Sequence, residues 1–495
     1  MYSSLSKRQL LARVFSHTWI YGTGIVAARA GAVLLLPLYW LKLEPADFGL
    51  IGLSQALMMF LSPVLALGLP DAVQRLYHEW TDRERPYFLG SIWTVSCIAG
   101  VVGCGLLSLM GPMLFATVLS QVSFYPYLSL AIWTAFATNL SSVPLAIMRA
   151  REESRRYSII TILMFLSQTA LTIYFVFSAE LGAAGFLWGV FINAAVWSCY
   201  FANYMASIIS WSVDPRYFRE PLRYSLPIVP ASLLEGASQM LDRYFLDKFV
   251  GLRDIGLYSL ANQFGMGFNL FNQMIKNSWY PFIYRLAIER KDAPAVVAKL
   301  SLYLLAALVP IAIAIALLSK ELIVWLGDER YHGVYEFIPV FVLVYFLHAT
   351  WTVLGRGMDL AKRLHFQPLV QIVGLLVGVA ALWVLVPRFG VRGAVWALLA
   401  ANLVKTAVLL YLSYHFYPRP LLIGKCAVLF AVGAIMYWLG HGVSADTLLF
   451  GALQKLLIIL VGSAGIIWFV LDGRRALDVL REWRTARRGG RDIID

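Results

Sequence analysis

The sequence predicts an all-α polytopic membrane protein with about 14 transmembrane helices. Of its 495 residues, 60% are hydrophobic and only 14% are charged, and the mean hydropathy is +0.71. Soluble proteins average about 45–50% apolar and about 25% charged residues. The composition therefore excludes a soluble enzyme, a nucleic-acid-binding domain, a disordered protein and a secreted disulfide scaffold, and no nucleic acid is expected as a partner.

The second observation is the number of apolar stretches long enough to cross about 30 Å of hydrocarbon as a helix. Fourteen such stretches follow one another along the chain, and we number them spans 1 to 14. The connections between them leave no room for a separate soluble domain. The spans cover residues 16–41, 48–76, 88–113, 124–147, 158–178, 183–206, 226–248, 255–283, 298–319, 335–355, 366–386, 391–414, 421–440 and 449–471.

The basic residues of the loops predict how these spans are oriented. Because the number of spans is even, both chain ends lie on the same side of the membrane. Of the 41 lysines and arginines, 29 fall on the face that carries both ends and 7 fall on the opposite face. Cytoplasmic loops are enriched in Lys and Arg. Both termini are therefore expected in the cytoplasm, and lipid headgroups are expected partners of the basic face.

The third observation is an internal repeat with an offset of 207 or 208 residues. Residues 47–50 (DFGL) recur as residues 254–257 (DIGL). Since the offset covers six spans, the two copies share one orientation in the membrane, and a parallel repeat of this kind is typical of transporters. Further related pairs are Arg149 and Arg356, Arg156 and Arg363, Gly182 and Gly390, Gly185 and Gly393, and Trp188 and Trp396.

The repeat predicts four regions of the chain. Residues 1–210 form a first six-helix lobe with spans 1–6, and residues 211–415 form a second with spans 7–12. Residues 416–472 add two C-terminal helices, and residues 473–495 form a basic cytoplasmic tail. Two such lobes can rock around a central cavity, so polar residues inside the spans are the candidates for function.

Two spans carry charged candidates. Arg29 lies midway along span 1, where it either pairs with a neighbouring helix or binds an anion in the cavity. On span 7, Glu235, Gln239, Asp242 and Arg243 recur at three- and four-residue spacing and share one face. For Asp242 and Arg243, an ion pair near the helix end is favoured over contact with a ligand. Glu235 lies deeper in the span, which favours a role in coupling or gating.

Span 8 carries a second polar stripe at helical spacing. Amides inside membranes often only join helices, at about 0.6 kcal/mol each. Five polar residues on one face, one of them a lysine, fit the lining of a water-filled cavity better. These residues are Asn262, Asn269, Gln273, Lys276 and Tyr280.

The sequence contains no motif of an energy-driven or metal-dependent enzyme. A Gly-rich phosphate loop with a following lysine, clustered His and Cys residues at metal-binding spacing, and a nucleophile elbow are all missing. We therefore expect no enzymatic activity, no metal and no cofactor. All four cysteines lie inside apolar stretches, so no disulfide is expected; they are Cys97, Cys104, Cys199 and Cys426.

Several motifs, in their order along the chain, resemble those of one family. Residues 222–230 (LRYSLPIVP), 242–244 (DRY) and 255–259 (IGLYS) look like the central signature of the polysaccharide and O-antigen flippases. This group belongs to the multidrug/oligosaccharidyl-lipid/polysaccharide exporter superfamily. The resemblance covers essentially the whole chain. Supporting motifs are residues 36–39 (LPLY), 47–49 (DFG), 67–69 (LGL), 75–77 (RLY), 387–390 (PRFG) and 393–394 (GA).

The resemblance implies a carrier in the bacterial inner membrane. Such a carrier moves an undecaprenyl-diphosphate-linked oligosaccharide from the cytoplasmic to the outer leaflet by alternating access. The resemblance then implies that Arg29 and Lys276 bind the diphosphate as cations, while Asn262, Asn269 and Gln273 meet sugar hydroxyls. It also implies a groove for the polyprenyl tail in spans 13 and 14. The implied partners are membrane lipids and the polysaccharide polymerase and glycosyltransferases of the same pathway.

Two other functions remain open on the sequence. A drug or small-cation exporter of the same superfamily predicts acidic residues deep in the first lobe, where the spans hold no mid-membrane carboxylate. An integral-membrane glycan polymerase or ligase needs catalytic groups on a sizeable external loop. The longest external loop, about residues 320–335, offers only Glu321, Asp328, Glu329 and His332.

The repeat also relates two of the candidates to each other. Its offset carries Arg29 to position 236, so Glu235 is expected at nearly the same depth in the second lobe. An arginine facing this carboxylate would favour its charged form. The pair would then either couple a proton to the movement of the lobes or form a static buried ion pair, and the sequence does not decide between them.

Overall fold

The structure is a computed structural model that describes residues 35–211, 214–226, 229–289, 292–326, 329–361, 363, 366–418, 423–443 and 447–470. Within these residues the protein is built from helices and contains no β-strand. Span 1 is described only at its end, in the five-residue helix Leu36–Trp40. The rest of the fold consists of long helices joined by short connections.

Spans 2 to 7 follow the order predicted from the sequence. Span 2 is broken near Gly68 into two helices, and a short linker helix stands between spans 6 and 7. The helices are Pro45–Ala66 and Leu69–Leu76 for span 2, Arg85–Val118, Ser129–Ala150, Ser154–Ile173, Gly182–Ala206, the linker helix Pro215–Ser225, and Val229–Phe249 for span 7. Single π-helical turns, Phe124–Leu128 and Tyr174–Ser178, begin span 4 and end span 5.

Spans 8 to 14 complete the chain. A 3₁₀ segment, Glu329–Glu336, precedes span 10, and a short helix, Gly357–Leu360, follows it. Spans 11 and 12 belong to one helix of 50 residues, which is broken at Gly390. The span helices are Leu252–Glu289, Ala293–Leu326, Ile338–Leu354, Gln367–Phe416, Ile423–His441 and Leu448–Val470.

The helix composition confirms the predicted fold class. Ten helices of the described residues are long and apolar enough to cross a membrane, and one of them, Gln367–Phe416, contains two spans. The helices of spans 7 and 8 are not among the ten, because charged and polar residues lower their hydropathy. Together with span 1, these helices make about 14 membrane-spanning segments.

The repeat found in the sequence has a counterpart in the backbone. Gly182 and Gly390 both have a φ of +55°, a value that residues with side chains rarely adopt, and they stand where spans 6 and 12 begin. Three residues later, Gly185 and Gly393 pack so closely on the preceding helix that a Cβ would lie 2.6 Å and 2.2 Å from a carbonyl oxygen. The two copies therefore make the same turn with the same residues.

The two copies of the repeated DFGL motif also contact each other. A Cβ on Gly49 would lie 2.2 Å from the carbonyl oxygen of Leu252, and a Cβ on Gly256 would lie 1.7 Å from that of Pro45. Small residues allow membrane helices to approach this closely. The helices of spans 2 and 8 therefore cross at the two repeat-related glycines.

Asp47, the first residue of the DFGL motif, joins the starts of two spans. Its carboxylate accepts the backbone N–H of Glu44 at 2.9 Å, which caps the helix of span 2. The other carboxylate oxygen accepts the backbone N–H of Ala183, at the start of span 6, at 3.3 Å. The recurrence of this acidic residue in the motif thus has a structural reason in the first copy.

The linker helix, Pro215–Ser225, is amphipathic and starts with an acidic cap. Asp214 accepts the backbone N–H of Arg216 at 2.9 Å and its guanidinium at 2.6 Å. The Arg216 guanidinium holds the pKa of Asp214 below its usual value. Tyr217 packs its ring 5.2 Å from Trp80 and 5.9 Å from Tyr87, so aromatic contacts hold the linker helix against the connection that follows span 2 and the start of the span 3 helix.

The described chain divides into two compact units. The first comprises the chain up to Gln263 together with Gln367–Lys405, and the second comprises Phe264–Phe366 with the chain from Thr406 onward. The first has an apolar core around Phe88, Ile92 and Ile147, and the second has one around Ile283. These units are defined by proximity, whereas the predicted lobes 1–210 and 211–415 are defined by the repeat, so the lobe boundaries stay a prediction.

Candidate functional site

A cavity of about 370 Å³ lies in the first unit between the helices of spans 2 and 7. Its polar side chains come from Ser62, Asp71, Ser232 and Gln239. The volume is at the lower end of the range for ligand pockets, about 300–1,000 Å³. It would hold roughly a dozen water molecules at about 30 Å³ each. Polar groups inside a membrane protein need water or a polar ligand.

Close contacts bound this cavity at both ends. At one end, a Cβ on Gly236 would lie 3.2 Å from the Cα of Phe60. At the other, a Cβ on Gly68 would lie 3.0 Å from the Cβ of Ser225, at the end of the linker helix. The cavity is therefore bounded by close contacts between a helix of the first repeat copy and the segment that begins the second.

Because of Pro63, one wall of the cavity contains a backbone carbonyl without its helical hydrogen bond. Proline has no N–H, so the carbonyl of Met59, four residues earlier, does not receive its usual helical hydrogen bond. Met59 and Pro63 both line the cavity. Asn139 of span 4 supports this wall, because its amide donates to the carbonyl of Ser62 at 3.2 Å and its side-chain oxygen accepts the Ser62 hydroxyl at 3.0 Å.

The charge of the described lining is small and acidic. Asp71 is the one charged residue among the described lining residues, and it is exposed in the first turn of the helix Leu69–Leu76. Serine hydroxyls and the Gln239 amide make up the other polar side chains. The lining therefore offers neutral groups that can form hydrogen bonds with hydroxyl groups, together with the Asp71 carboxylate.

Farther along span 7, Asp242 and Arg243 form a buried ion pair. Their side chains are 6% and 9% exposed, and the guanidinium donates to the carboxylate at 2.8 Å. The same carboxylate accepts the hydroxyl of Tyr258 in span 8. The Arg243 guanidinium carbon lies 4.6 Å from the centre of the Tyr258 ring. The three residues thus join spans 7 and 8 with the charges compensated inside the protein.

A smaller cavity of about 40 Å³ adjoins this ion pair. It is lined by Asp242 and by residues of spans 11 and 12, among them Asn402 and Lys405. Lys405 is 8% exposed, and its stem lies on Gly374, where a Cβ would be 2.1 Å from the lysine Cγ. Because the cavity exceeds the roughly 10–15 Å³ that a water molecule requires, the structure has room for water between these buried polar groups.

The polar stripe of span 8 is distributed along one long helix. Asn262 belongs to the first unit, while Asn269, Gln273, Lys276 and Tyr280 belong to the second. Asn269 accepts a hydrogen bond from Asn272 at 3.1 Å. Lys276 is exposed, and its Nζ lies 5.9 Å from the centre of the Tyr280 ring.

Two sequence candidates fall outside the side chains that the structure describes. Arg29 lies outside the described residues. The backbone of Glu235 belongs to the helix Val229–Phe249, one position before the cavity-lining Gly236, but its side chain lies outside the described part of the structure. Their pairing across the repeat therefore remains a prediction.

The structure adds an ion pair that the sequence reading did not single out. Lys455 of span 14 is 5% exposed and donates to the carboxylate of Glu321 at 2.5 Å and to the carbonyl of Leu317 at 3.1 Å. The sequence placed Glu321 on an external loop, but the helix of span 9 runs on to Leu326 and includes it. A lysine within an otherwise apolar span was the available signal.

Fold and cavity together define an all-helical polytopic membrane protein with a polar cavity between the helices of spans 2 and 7. The sequence pattern of the polysaccharide biosynthesis protein family matches residues 42–336, more than half of the chain. The chain belongs to this family. The family resemblance inferred from the motifs is thereby confirmed.

Solved structures with the same fold include lipid and drug transporters. The lipid II flippase MurJ, in an inward closed conformation, matches with a TM-score of 0.75 and 12% identity over 91% of this chain and 98% of that chain. An inward-facing multidrug resistance MATE family transporter of the MOP superfamily matches with a TM-score of 0.63 and 13% identity over 79% and 97%. At such low identities these likenesses establish the fold. No curated protein matches the chain in sequence.

Proposed function

We propose that this protein is a lipid-linked oligosaccharide flippase. It moves an undecaprenyl-diphosphate-linked glycan repeat unit from the cytoplasmic to the outer leaflet by alternating access, for the assembly of a cell-surface or exported polysaccharide. The polymerase and glycosyltransferases of the same pathway are its functional partners. Membership of a polysaccharide biosynthesis family and the transporter fold both support this proposal.

The observation that carries the proposal is the cavity between spans 2 and 7. A glycan and a diphosphate cannot cross hydrocarbon unaided, because their polar groups would lose hydration without compensation. The Ser62, Ser232 and Gln239 side chains offer hydroxyl and amide partners for sugars. The polyprenyl tail can stay in lipid during the movement, so a cavity of about 370 Å³ needs to hold only part of the headgroup.

The diphosphate then requires cations from elsewhere in the protein. Arg29 and Lys276 remain the proposed residues, with Asn262, Asn269 and Gln273 meeting further sugar hydroxyls. Lys276 is exposed, as a residue that binds an anionic headgroup has to be. Replacing both cations with alanine should strongly reduce glycan export while the protein stays folded in the membrane. Full export by this double variant would remove diphosphate binding by these residues from the mechanism.

Filling the cavity tests the proposal directly. Ser232→Leu places an apolar side chain in the lining of the cavity, whereas Gly105→Leu places the same side chain where a Cβ has no atom within 4 Å. In cells that depend on this protein, Ser232→Leu should stop glycan export and leave the lipid-linked glycan on the cytoplasmic leaflet. Gly105→Leu should export normally. Equal export by the two variants, at equal protein levels, would contradict the cavity as the transport site.

An exporter of small organic cations is the second candidate, and Asp71 is the observation that favours it. A lining with one carboxylate and no described basic residue suits a cation. Asp71→Asn separates the two functions. It should abolish efflux of an organic cation from loaded vesicles if the protein exports cations, and it should leave glycan export largely intact if the protein is a flippase.

The coupling of transport to an ion gradient is proposed to involve Glu235. Glu235→Gln keeps the size and hydrogen bonding of the side chain but cannot ionise. If Glu235 couples transport to a proton gradient, the variant should be present at normal levels and lose the dependence of transport on a pH gradient in proteoliposomes. Loss of the protein itself would instead support a static buried pair.

A further inference from the structure

The carboxylate of Asp247, near the end of span 7, is bound by the connection between spans 3 and 4. One oxygen accepts the backbone N–H of Ser120 at 2.7 Å and the Ser120 hydroxyl at 3.0 Å. The other accepts the backbone N–H of Gln121 at 3.2 Å. Asp247 is only 2% exposed, so three donors replace the water that a buried carboxylate would lose.

Further hydrogen bonds surround this carboxylate. The Gln121 side-chain amide donates to the carbonyls of Asp247 and Val250, the latter at 2.6 Å. The Nζ of Lys248 donates to the carbonyl of Thr117 at 2.7 Å. We call these residues, Thr117, Ser120, Gln121, Asp247 and Lys248, the Asp247 latch.

The Asp247 latch connects the two copies of the repeat. Residues 117–121 lie at the end of the span 3 helix and in the connection that follows it, in the first copy, while residues 247 and 248 lie at the end of span 7, in the second. The contact between Gly49 and Gly256 joins the copies near the start of spans 2 and 8, which follow the predicted external connections. On the predicted topology, the latch and this crossing lie on the external side, opposite the linker helix.

We propose that the Asp247 latch is the external closure of the transport pathway and has to open in each transport cycle. This inference rests on the proposed function, because alternating access requires the two copies to separate externally after they have closed around a substrate. A carboxylate bound to backbone N–H groups suits such a closure. Hydrogen bonds to a charged group are strong when formed, and in the open state the carboxylate regains its stability from water.

Cross-linking tests whether the latch has to open. A Ser120→Cys, Asp247→Cys variant is made in a background in which the four native cysteines are replaced, and a short bifunctional thiosulfonate bridges the two thiols. Glycan transport should fall at least about tenfold on cross-linking and return on reduction. A Ser167→Cys, Asn193→Cys pair is the control, because those side chains touch at 2.6 Å within the first repeat copy.

The cross-linking result has a clear contrary outcome. Undiminished transport by the bridged Ser120–Asp247 pair would show that this contact does not open, and would overturn the proposal. Equal loss of transport by the Ser167–Asn193 pair would also count against it, because a cross-link within one repeat copy would then inhibit transport as strongly as a cross-link between the copies.

A single neutral substitution tests the latch without a transport assay. Asp247→Asn keeps the side-chain volume but turns an amide N–H toward a donor. A Ser259→Cys probe reports opening, because Ser259 is 4% exposed and lies against span 2 at the same end of the molecule. An impermeant maleimide applied outside should label the probe about tenfold faster with Asp247→Asn, the factor expected from losing one charge-assisted hydrogen bond.

The matched control is Asp254→Asn, which removes the same charge from an exposed position on span 8. It should leave the labelling rate unchanged. Equal labelling rates for the two variants would contradict the latch. If the parent protein transports no glycan in any assay, the proposed function fails, while the labelling comparison still decides whether Asp247 holds the two copies together.

Discussion

The close contact between the repeat-related glycines, Gly49 and Gly256, can be tested by adding a single methyl group. Gly256→Ala would place a Cβ 1.7 Å from the carbonyl oxygen of Pro45 and 3.1 Å from the backbone nitrogen of Gly49. Both opposing atoms belong to the backbone. No side chain can rotate away, so the helices of spans 2 and 8 have to separate to admit the methyl group.

The size of the effect follows from the distance. The Cβ to oxygen distance has to grow from 1.7 Å to at least 3.0 Å, because real Cβ atoms essentially never approach more closely. Overpacking of this kind typically costs about 1–3 kcal/mol. Since the obstacle is rigid, we expect the upper end, about 3 kcal/mol, which is roughly a hundredfold in the unfolding equilibrium.

The assay is unfolding of the purified protein in mixed micelles, followed by the fluorescence of its 16 tryptophans. Gly251→Ala is the matched control, because a Cβ there has no atom within 4 Å. It should change the free energy of unfolding by less than about 0.5 kcal/mol. If Gly256→Ala were as stable as Gly251→Ala, the close crossing of spans 2 and 8 would be refuted.

Three further predictions concern charged residues. Asp242→Asn should lower the free energy of unfolding by about 3–5 kcal/mol in the same assay, because it removes the charge of the carboxylate that the buried Arg243 guanidinium donates to. Lys455→Met should destabilise comparably, and adding Glu321→Gln should restore much of the loss, since no buried carboxylate then lacks a partner. In the exposed pair of Lys42 and Glu180, the lysine lowers the pKa of Glu180. Its small stabilisation is therefore present above the usual glutamate pKa and is lost as the pH falls through the lowered one. Lys42→Met should raise this pKa in a carboxyl NMR titration and lower the melting temperature only slightly at neutral pH, where the stabilisation is present.

Much of the fold is predictable from the sequence because the membrane imposes a simple rule. A helix satisfies its backbone hydrogen bonds internally, so a long apolar stretch has few alternatives in hydrocarbon. The polar character of spans 7 and 8, which keeps them below the hydropathy of the other helices, was visible in the same way. The repeat was also predictable from the sequence. The same positive φ is needed at positions 182 and 390, and it requires glycine in both copies.

Only part of the candidate site was predictable from the sequence. Helical spacing placed Asp242 and Arg243 on one polar helix, but spacing does not show what a residue contacts on another helix. The structure shows that Tyr258 completes their ion pair. Span 9 also extends past its predicted end and brings Glu321 to Lys455, although these residues are 134 positions apart in the chain.

By itself, the sequence determined that this is a polytopic membrane protein with an internal repeat and a family signature. Those properties depend on composition and on local backbone requirements, which each segment carries alone. The tertiary structure decided that Ser62 and Ser232 share a cavity and that Asp247 binds residues 120 and 121. Lipid tails are as apolar as the helix faces, so apolar contact alone does not determine which helices pack together. Close packing at glycines and hydrogen bonds between distant polar groups therefore select which helices meet, and only the folded chain brings those partners together.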